Sequence, residues 1–281
     1  MIPAPFDYDV ADSVDHAIQL LSSEGGDVKL LAGGQSLIPA LRLRIARPAK
    51  LVDLGKLSDL AYVRDDGTQV AIGAMTTHAA IATDPVLAEH CPIVSHTAAG
   101  IGDPQVRHRG TLGGTLSHGD PASDMPAVML AVGADLVAQG KGGERIIPAA
   151  DFFTGVFETA LASHEVLVEV RVPKLAASTG WAYLKANRRA QDWATVGVAA
   201  LVHRDNGTVA GATIGLVNMG ATPLRARAAE DALAGGASIA DAAELVTDGA
   251  DPPTDQAGSS EYRVHLARVV ARRALEQALT D

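Results

Sequence analysis

The sequence predicts a mixed α+β chain of two domains, on the basis of three observations. In the first part of the chain, short apolar runs typical of strands alternate with segments of helical spacing. In the last part, strand-like runs come first and helical segments follow, as in a separate α+β domain. The composition changes between Pro173 and Gly180, and 281 residues with 47% hydrophobic content suffice for two cores. We therefore expect one domain over residues 1–175, with α/β subdomains near 1–55 and 56–175, and a second over 176–281.

The first subdomain is predicted to be a β–loop–α–β unit preceded by a helix. Pro39 fits the first turn of the helix inside this unit. The unit places Gly33 and Gly34 at the carboxyl end of a strand, where open α/β sheets usually bind ligands. Its predicted elements are helices over Ser13 to Leu21 and Leu37 to Ile45, and strands over Val28 to Leu31 and Lys50 to Leu54.

The second subdomain contains a long segment with little apolar periodicity, Gln105 to Asp124. We expect a functional loop there, because long structureless segments in compact domains usually carry function and this one is rich in glycine and hydroxyl groups. Ser123 or Asp124 is expected to cap the helix that follows. The predicted elements are strands over Gln69 to Ile72, Ala134 to Ala138, Glu144 to Ile147 and Glu165 to Val172, and helices over Thr77 to Ile81, Pro92 to Ala99 and Met125 to Val132.

The C-terminal domain is predicted to combine a small antiparallel sheet with helices. A turn sequence, Asp205-Asn206-Gly207, separates two apolar runs and predicts a hairpin. The predicted elements are strands over Trp181 to Lys185, Ala194 to His203 and Val209 to Val217, and helices over Leu224 to Leu233, Ile239 to Leu245 and Glu261 to Leu279.

Two glycine pairs, Gly33-Gly34 and Gly113-Gly114, lie beside small hydroxyl-bearing residues. Because glycine has no Cβ, main-chain N–H groups can approach a bulky anion, and a row of them forms a concave anion site. Glycine pairs also occur in ordinary turns, as we expect for Gly140 to Gly143. Neither pair has the Lys-Ser ending of a P-loop or the Gly-x-Gly-x-x-Gly spacing of a Rossmann fold. Two such loops beside apolar runs favour a dinucleotide with its pyrophosphate held from both sides.

Composition excludes several classes of function. A net charge of −10 argues against nucleic acid or an anionic membrane as the main partner. The longest apolar run, Met125 to Ala134, is too short to span a bilayer, and the N-terminus lacks the pattern of a secretory signal. Cys91 is the only cysteine, whereas an iron–sulfur cluster usually takes four, and the nine histidines lack the spacing of a zinc hydrolase. We expect a cytoplasmic protein with no transmembrane segment and no metal site.

Three motifs in this order resemble the FAD-binding medium subunit of molybdenum hydroxylases: Ala32 to Pro39, Gly110 to Leu116 and Asp120 to Asp124. The resemblance covers almost the whole chain, and it favours the aerobic carbon monoxide dehydrogenase type, which is related to the flavin domain of xanthine dehydrogenase. It implies a two-part FAD-binding domain of the vanillyl-alcohol-oxidase (PCMH) type. A C-terminal α+β domain would then flank the isoalloxazine ring.

The resemblance also implies which residues bind FAD on the phosphate side. Main-chain amides from Ala32 to Ser36 and from Gly113 to Thr115 are expected to hold the pyrophosphate. Two positions depart from the family pattern: Thr115 stands where Asn is usual, and Gln35 where the carbon monoxide branch often has His. At Thr115 a hydroxyl replaces the side-chain amide of Asn, so one contact to the cofactor is lost or is made through water. The assigned residues are Leu31, Ala32, Gly33, Gly34, Gln35, Ser36, Leu37, Gly110, Thr111, Gly113, Gly114, Thr115 and Ser123.

On the ring side, the resemblance implies contacts from both domains and assigns no catalytic residue. Three of these residues have ordinary alternatives: core packing for Trp193, a surface ion pair for Lys185 and helix capping for Asp124. Ile101 and Gly102 are expected to lie against the ring system, and Asp124 is expected to contact the flavin or its ribityl chain. Leu167 and Lys185 are expected to contact the cofactor from the domain junction, and Trp193 is expected to cover one face of the ring.

The implied function is that of an electron-transfer flavoprotein subunit, an oxidoreductase. Its FAD would take electrons from an iron–sulfur small subunit and pass them to an external acceptor such as a quinone or NAD. A molybdopterin large subunit would oxidise the substrate, and the family suggests a dimer of heterotrimers. Two alternatives stay open: a self-sufficient FAD oxidase or reductase of the same fold, and a cofactor-free assembly subunit whose glycine loops are only turns.

Overall fold

A computed structural model describes residues 2–23, 27–205 and 208–280. The first part of the chain forms a small parallel sheet. The strand order is β1-β3-β2, so the central strand pairs on both sides. The predicted strands are confirmed, and β1 is an additional one that its polar sequence did not indicate. Its elements are the strands Asp7–Val10 (β1), Val28–Leu31 (β2) and Lys50–Asp53 (β3) and the helices Val14–Ser23 (α1) and Leu37–Arg42 (α2).

A second sheet of five antiparallel strands has the order β4-β5-β10-β6-β7. Ala17 and Ile18 of α1 and Val52 of β3 pack with Val137 and Val168 of this sheet, so the first sheet is fixed to its outer face. The strands are Val63–Asp66 (β4), Gln69–Gly73 (β5), Asp135–Gly140 (β6), Gly143–Pro148 (β7) and Val166–Pro173 (β10), with a separate hairpin of Phe153–Gly155 (β8) and Glu158–Thr159 (β9).

Helices cover the inner face of this second sheet, and two of them correct the sequence analysis. The segment Gln105 to Asp124 is not a continuous loop, because it contains α6 and α7. Their helical pattern is hard to recognise in the sequence because α6 is a single turn and α7 has two glycines, which are poor helix formers, in its first turn. The helices are His78–Thr83 (α3), Pro85–His90 (α4), Pro92–Ala99 (α5), Pro104–Arg107 (α6), Leu112–His118 (α7), Asp124–Val132 (α8) and Ala149–Phe152 (α9).

The C-terminal part is a four-stranded antiparallel sheet, order β11-β12-β13-β14, covered by helices. The predicted hairpin is present, with Asp205 opposite Thr208, although Asn206 and Gly207 lie outside the described residues. The helix predicted from Leu224 begins later, because the first residues pair as a strand. The elements are Thr179–Ala186 (β11), Val196–Asp205 (β12), Thr208–Val217 (β13), Leu224–Arg225 (β14), Arg227–Ala234 (α10), Ile239–Glu244 (α11) and Ser260–Thr280 (α12).

Helix α8 joins the two parts of the molecule. All of its residues are buried, and it is apolar on every side except at Asp124, as expected for a central core helix. It packs against α5 and β10 on one side and against β12 and β13 on the other. A Cβ at Gly215 of β13 would overlap the carbonyl oxygen of Ala127, so glycine there permits the close approach of helix and sheet. Across the described ranges, no helix combines the length and apolarity needed to cross a membrane.

This close approach predicts a contrast between two glycines of β13. Gly215→Ala should lower the free energy of unfolding by about 2 kcal/mol, because the methyl group is forced into the α8 backbone. Gly211→Ala is the matched control, since a Cβ there meets nothing within 4 Å. Denaturant unfolding of both variants measures the difference. Equal stabilities would contradict the packing described for α8 and β13.

Candidate functional site

A cleft with about 770 Å³ of empty space, including its open mouth, lies where the two parts of the molecule meet. It is bounded by the segment after β2, by the start of α3, by the turns around α6 and α7, by the start of α8 and by β11 with the loop that follows it. Its lining residues are Gln35, Ser36, His78, Ile101, Gly102, Val106, Gly110, Thr115, Ser123, Asp124, Lys185, Gln191, Asp192 and Trp193.

The first glycine pair forms a tight turn with unused main-chain donors. Gly34 has φ +75°, a conformation that glycine adopts without a steric penalty. A Cβ at Gly33 would overlap the carbonyl oxygen of Arg109, so glycine lets this turn touch the second segment. In the described part of the chain, the amides from Gly33 to Leu37 donate to no acceptor. Together with the cleft-lining side chains of Gln35 and Ser36, they form a row of donors suited to an anion.

The second glycine pair differs from the sequence expectation. The amides of Gly113, Gly114 and Thr115 already donate within the protein, to Ala74 O (2.8 Å), Thr111 Oγ1 (3.1 Å) and Thr111 O (3.0 Å) respectively. The expectation that these amides form a second open anion site is therefore wrong. Their glycines serve packing instead.

The packing role of these glycines follows from the space around them. A Cβ at Gly113 would lie 2.6 Å from Ala74 Cβ, and one at Gly114 would lie 2.8 Å from Thr111 Oγ1 and 3.6 Å from Ala32 Cβ. The second segment thus contacts the first closely. Gly110 and Thr115 of this segment line the cleft, and of the two Thr115 has the polar side chain.

His78, one of the nine histidines of the chain, lies beside the hydroxyl of Thr115. It is 1% exposed, and its Nε2 lies 2.8 Å from Thr115 Oγ1. Burial lowers the pKa of His78 to about 4, so the imidazole is neutral at pH 7. Its Nδ1 has no hydrogen-bond partner in the ranges that the structure describes. Those ranges contain no group of three or more His, Cys, Asp or Glu residues placed to hold a metal ion.

Asp124 at the start of α8 links the two sides of the cleft. Its carboxylate accepts hydrogen bonds from Tyr183 Oη (2.6 Å) and Lys185 Nζ (2.9 Å), both on β11. Burial raises the pKa of Asp124, and the two donors oppose that shift. Neither expected cap is formed, because Ser123 makes no side-chain capping bond and Asp124 binds the other domain. The ion pair of Lys185 is buried, which rules out the surface alternative.

The remaining wall is built from a turn and an exposed aromatic side chain. Gly102 has φ +52°, and Arg107 Nη1 donates to the carbonyl oxygens of Ile101 (3.0 Å) and Gly102, which fixes this turn. Trp193 is 55% exposed at the cleft, so the alternative of ordinary core packing is wrong for this residue. Its indole offers an apolar face to a flat ligand.

The structure brings only part of the predicted set to the cleft. Leu167 is 5% exposed within the hydrophobic core and does not line it. Leu31, Ala32, Gly33, Gly34, Leu37, Thr111, Gly113 and Gly114 belong to the two glycine segments but do not line it either. The predicted residues that line the cleft are Gln35, Ser36, Ile101, Gly102, Gly110, Thr115, Ser123, Asp124, Lys185 and Trp193.

Four lining residues were missed by the sequence analysis: His78, Val106, Gln191 and Asp192. Asp192 and Gln191 adjoin Trp193, so their place in the same loop was the available signal. His78 gave no signal, because only the fold brings α3 against α7.

The chemistry of the cleft is that of a binding site for an anion attached to a flat ring. The lining combines the hydroxyl residues Ser36 and Thr115 with the apolar side chains of Ile101 and Trp193 and the cation of Lys185. Each carboxylate of the lining is neutralised by a cation: Asp124 by Lys185, and Asp192 by Arg189 at 3.1 Å. A cleft with these groups, placed where two parts of the chain meet, is typical of a protein that binds a cofactor.

The comparisons with protein families are specific. Residues 4–175 match the family described as the FAD binding domain in molybdopterin dehydrogenase, and residues 181–278 match the CO dehydrogenase flavoprotein C-terminal domain. The chain therefore belongs to the flavoprotein family of molybdopterin dehydrogenases. This result confirms the resemblance inferred from the motifs.

Individual relatives agree over their full lengths. The chain is 40% identical over 282 residues to the carbon monoxide dehydrogenase medium chain of Hydrogenophaga pseudoflava, covering 99% of this chain and 98% of that one. It is also 40% identical over 284 residues to the 6-hydroxypseudooxynicotine dehydrogenase complex subunit alpha of Paenarthrobacter nicotinovorans, covering 99% and 96%. A solved structure of carbon monoxide dehydrogenase from H. pseudoflava, lacking the Mo-pyranopterin moiety, matches with a TM-score of 0.96 at 43% identity and covers 100% and 99%.

The buried histidine predicts a pH dependence of stability. Folding lowers the pKa of His78 from 6.5 to about 4, so the unfolded chain binds more protons between these values and stability falls as the pH falls through them. Between pH 7 and pH 4, the free energy of unfolding of the cofactor-free protein should therefore fall by up to about 3 kcal/mol more in wild type than in His78→Gln. Parallel stability curves for the two proteins would contradict a neutral buried imidazole.

The Asp124–Lys185 pair predicts a second difference in stability. Lys185→Met should cost about 3 kcal/mol, because it leaves a buried carboxylate without its cation. The control Lys174→Met breaks a more exposed pair with Asp65 and should cost less than about 1 kcal/mol. Adding Asp124→Asn to Lys185→Met should recover part of the loss. Urea unfolding at pH 7 measures all three, and a harmless Lys185→Met would refute the assignment.

Proposed function

We propose that the chain is the electron-transfer flavoprotein subunit of a multi-subunit molybdenum hydroxylase, with FAD bound in the cleft. The FAD takes electrons from an iron–sulfur subunit and passes them to an external acceptor, a quinone or NAD. The observation that carries this proposal is the row of unused amides from Gly33 to Leu37, whose middle residues Gln35 and Ser36 line the cleft. Family membership supports FAD as the ligand.

The residues of the cleft fit FAD. The amides after Gly33 and the hydroxyls of Ser36 and Thr115 offer donors for the diphosphate, and the close contact of the two glycine segments leaves them on one wall. Ile101 and Trp193 offer apolar surface for the ring. When bound, FAD supplies one- and two-electron transfer, and the protein's part is to position it and tune its electronics. We also propose that residues 1–175 form the FAD-binding domain, of the vanillyl-alcohol-oxidase type, and that residues 176–281 form the second domain.

The lone cysteine supports a division of labour between subunits. One thiolate cannot hold an iron–sulfur cluster, which usually takes four, so the electron donor belongs to another chain. We assign it to an iron–sulfur small subunit and the oxidation of substrate to a molybdopterin large subunit, in a cytoplasmic dimer of heterotrimers. Names of the relatives point to different substrates, carbon monoxide and 6-hydroxypseudooxynicotine, at similar identity to this chain. This agrees with a substrate pocket on the large subunit.

A charge placed in the row of amides tests the proposal. The purified wild-type chain should bind one FAD, seen as flavin absorbance after reconstitution. Ser36→Asp should weaken FAD binding at least 100-fold, because the carboxylate repels the diphosphate and competes for the free amides. Ser58→Asp, on an exposed turn, is the control and should bind FAD normally.

Two outcomes separate the alternatives. Absence of flavin from the wild-type chain would support a cofactor-free assembly subunit and would refute the proposal. Bound flavin without co-purification of a cysteine-rich chain and a molybdenum-containing chain from the native host would favour a self-sufficient flavin enzyme.

A further inference from the structure

The hydroxyl of Thr115 has one hydrogen to donate, and His78 is its one hydrogen-bond partner among the described residues. Its Oγ1 lies 2.8 Å from His78 Nε2. Thr115 is half-buried and lines the cleft, so the cleft is the open space next to this residue. Which way the hydrogen points depends on the tautomer of His78, because a neutral imidazole has one N–H and one bare nitrogen.

The surroundings of His78 favour the tautomer that carries its proton on Nε2. With the proton on Nδ1, a buried N–H would have no acceptor, since Nδ1 has no partner in the described chain. Buried N–H groups without acceptors are rarer in proteins than acceptors left unused. Protonation of both nitrogens is opposed by burial, which lowers the pKa of this histidine to about 4. Nε2–H therefore donates to Thr115 Oγ1.

The position of the imidazole is fixed from several sides. The main-chain amide of His78 donates to Gly110 O at 2.9 Å, and the neighbouring Thr77 and Thr111 form an isolated β-bridge. A Cβ at Gly110 would lie 3.1 Å from His78 Cδ2, so glycine leaves room for the ring. The ring is thus held against the turn that precedes α7, with its Nε2 at Thr115.

We propose that His78 is a positioning residue that turns the hydroxyl hydrogen of Thr115 into the cleft, where it donates to a phosphate oxygen of FAD. This inference rests on the proposed function and adds to it the residue that orients one of its donors. It also explains how the second glycine segment contributes to the anion site although its own amides at 113–115 are already used. The donor on this side of the diphosphate is an oriented side chain and not the backbone.

Reconstitution of the deflavinated protein with FAD, followed by titration calorimetry, tests the coupling. Thr115→Val and His78→Phe should each raise the FAD dissociation constant about tenfold, because each removes or misdirects one hydrogen bond to an anion. The double variant should bind no worse than Thr115→Val alone, since His78 acts through Thr115. His78→Gln, which keeps an N–H donor, and Thr115→Ser, which keeps the hydroxyl, should restore most of the affinity.

A control pair exists elsewhere in the chain. His203 Nε2 lies 3.3 Å from Thr213 Oγ1 on the C-terminal sheet, away from the cleft residues. Thr213→Val should leave FAD affinity unchanged. If His78→Phe binds FAD like wild type, or if the losses of the two single variants multiply in the double variant, the proposal is overturned. Wild-type protein that binds no FAD would instead remove the proposed function itself.

Nitrogen-15 NMR of the wild-type protein gives a readout that needs no variant and is insensitive to folding defects. The His78 ring should show a protonated Nε2 and a bare Nδ1, both with and without FAD. In addition, one phosphorus-31 resonance of bound FAD should shift in Thr115→Val relative to wild type. A His78 ring protonated on Nδ1 would mean that Thr115 donates to histidine, and the proposal would fail.

Discussion

The close contact between the two glycine segments is the constraint on which the cleft depends. Gly33 touches the backbone at Arg109, and Gly114 approaches Ala32, so the end of β2 and the start of α7 share one wall. A side chain at Gly33 would push these segments apart, because its Cβ would lie 2.0 Å from Arg109 O. The free amides after Gly33 and the hydroxyl of Thr115 can serve one ligand only because the two segments touch. The contact thus turns two ordinary-looking loops into one site.

The second constraint joins the two parts of the molecule through charge. Asp124 begins the central helix α8, and its partners Tyr183 and Lys185 lie on β11 of the other part. A buried ion pair contributes little net stability compared with apolar packing, but an unpaired member is costly. The pair therefore constrains how α8 packs against β11, because the carboxylate of Asp124 has to lie within hydrogen-bond distance of the Lys185 ammonium. The same condition fixes Lys185 in the wall of the cleft.

Most regular elements were predictable from the sequence, because their apolar periodicity reports burial on one face. Strands such as Gln69–Gly73 and Val166–Pro173 followed from apolar runs, and the identity of the cofactor followed from the order of the glycine motifs. Helices α6 and α7 were not predicted, because α6 is a single turn and α7 is short and carries two glycines that disfavour a helix. The role of His78 was also hidden, because its contact with Thr115 crosses from α3 to α7 and leaves no spacing in the chain.

The two glycine pairs show why composition alone could not assign the donors. Gly34 has a positive φ and opens a turn whose amides are free, which agrees with the anion-site interpretation. Gly113 and Gly114 have no free amides, and the space around them is filled by Ala74 and Thr111, so their lack of a Cβ serves packing. A glycine pair can serve either an anion site or close packing. The backbone conformation and the hydrogen bonds of the main-chain amides distinguish the two roles, and both are known only from the fold. Thr115, which departs from the family pattern, therefore has to be judged by its partner. If His78 Nε2–H donates to the hydroxyl oxygen, as we propose, the O–H of Thr115 is left to donate to an anion, as the N–H of an Asn side chain would.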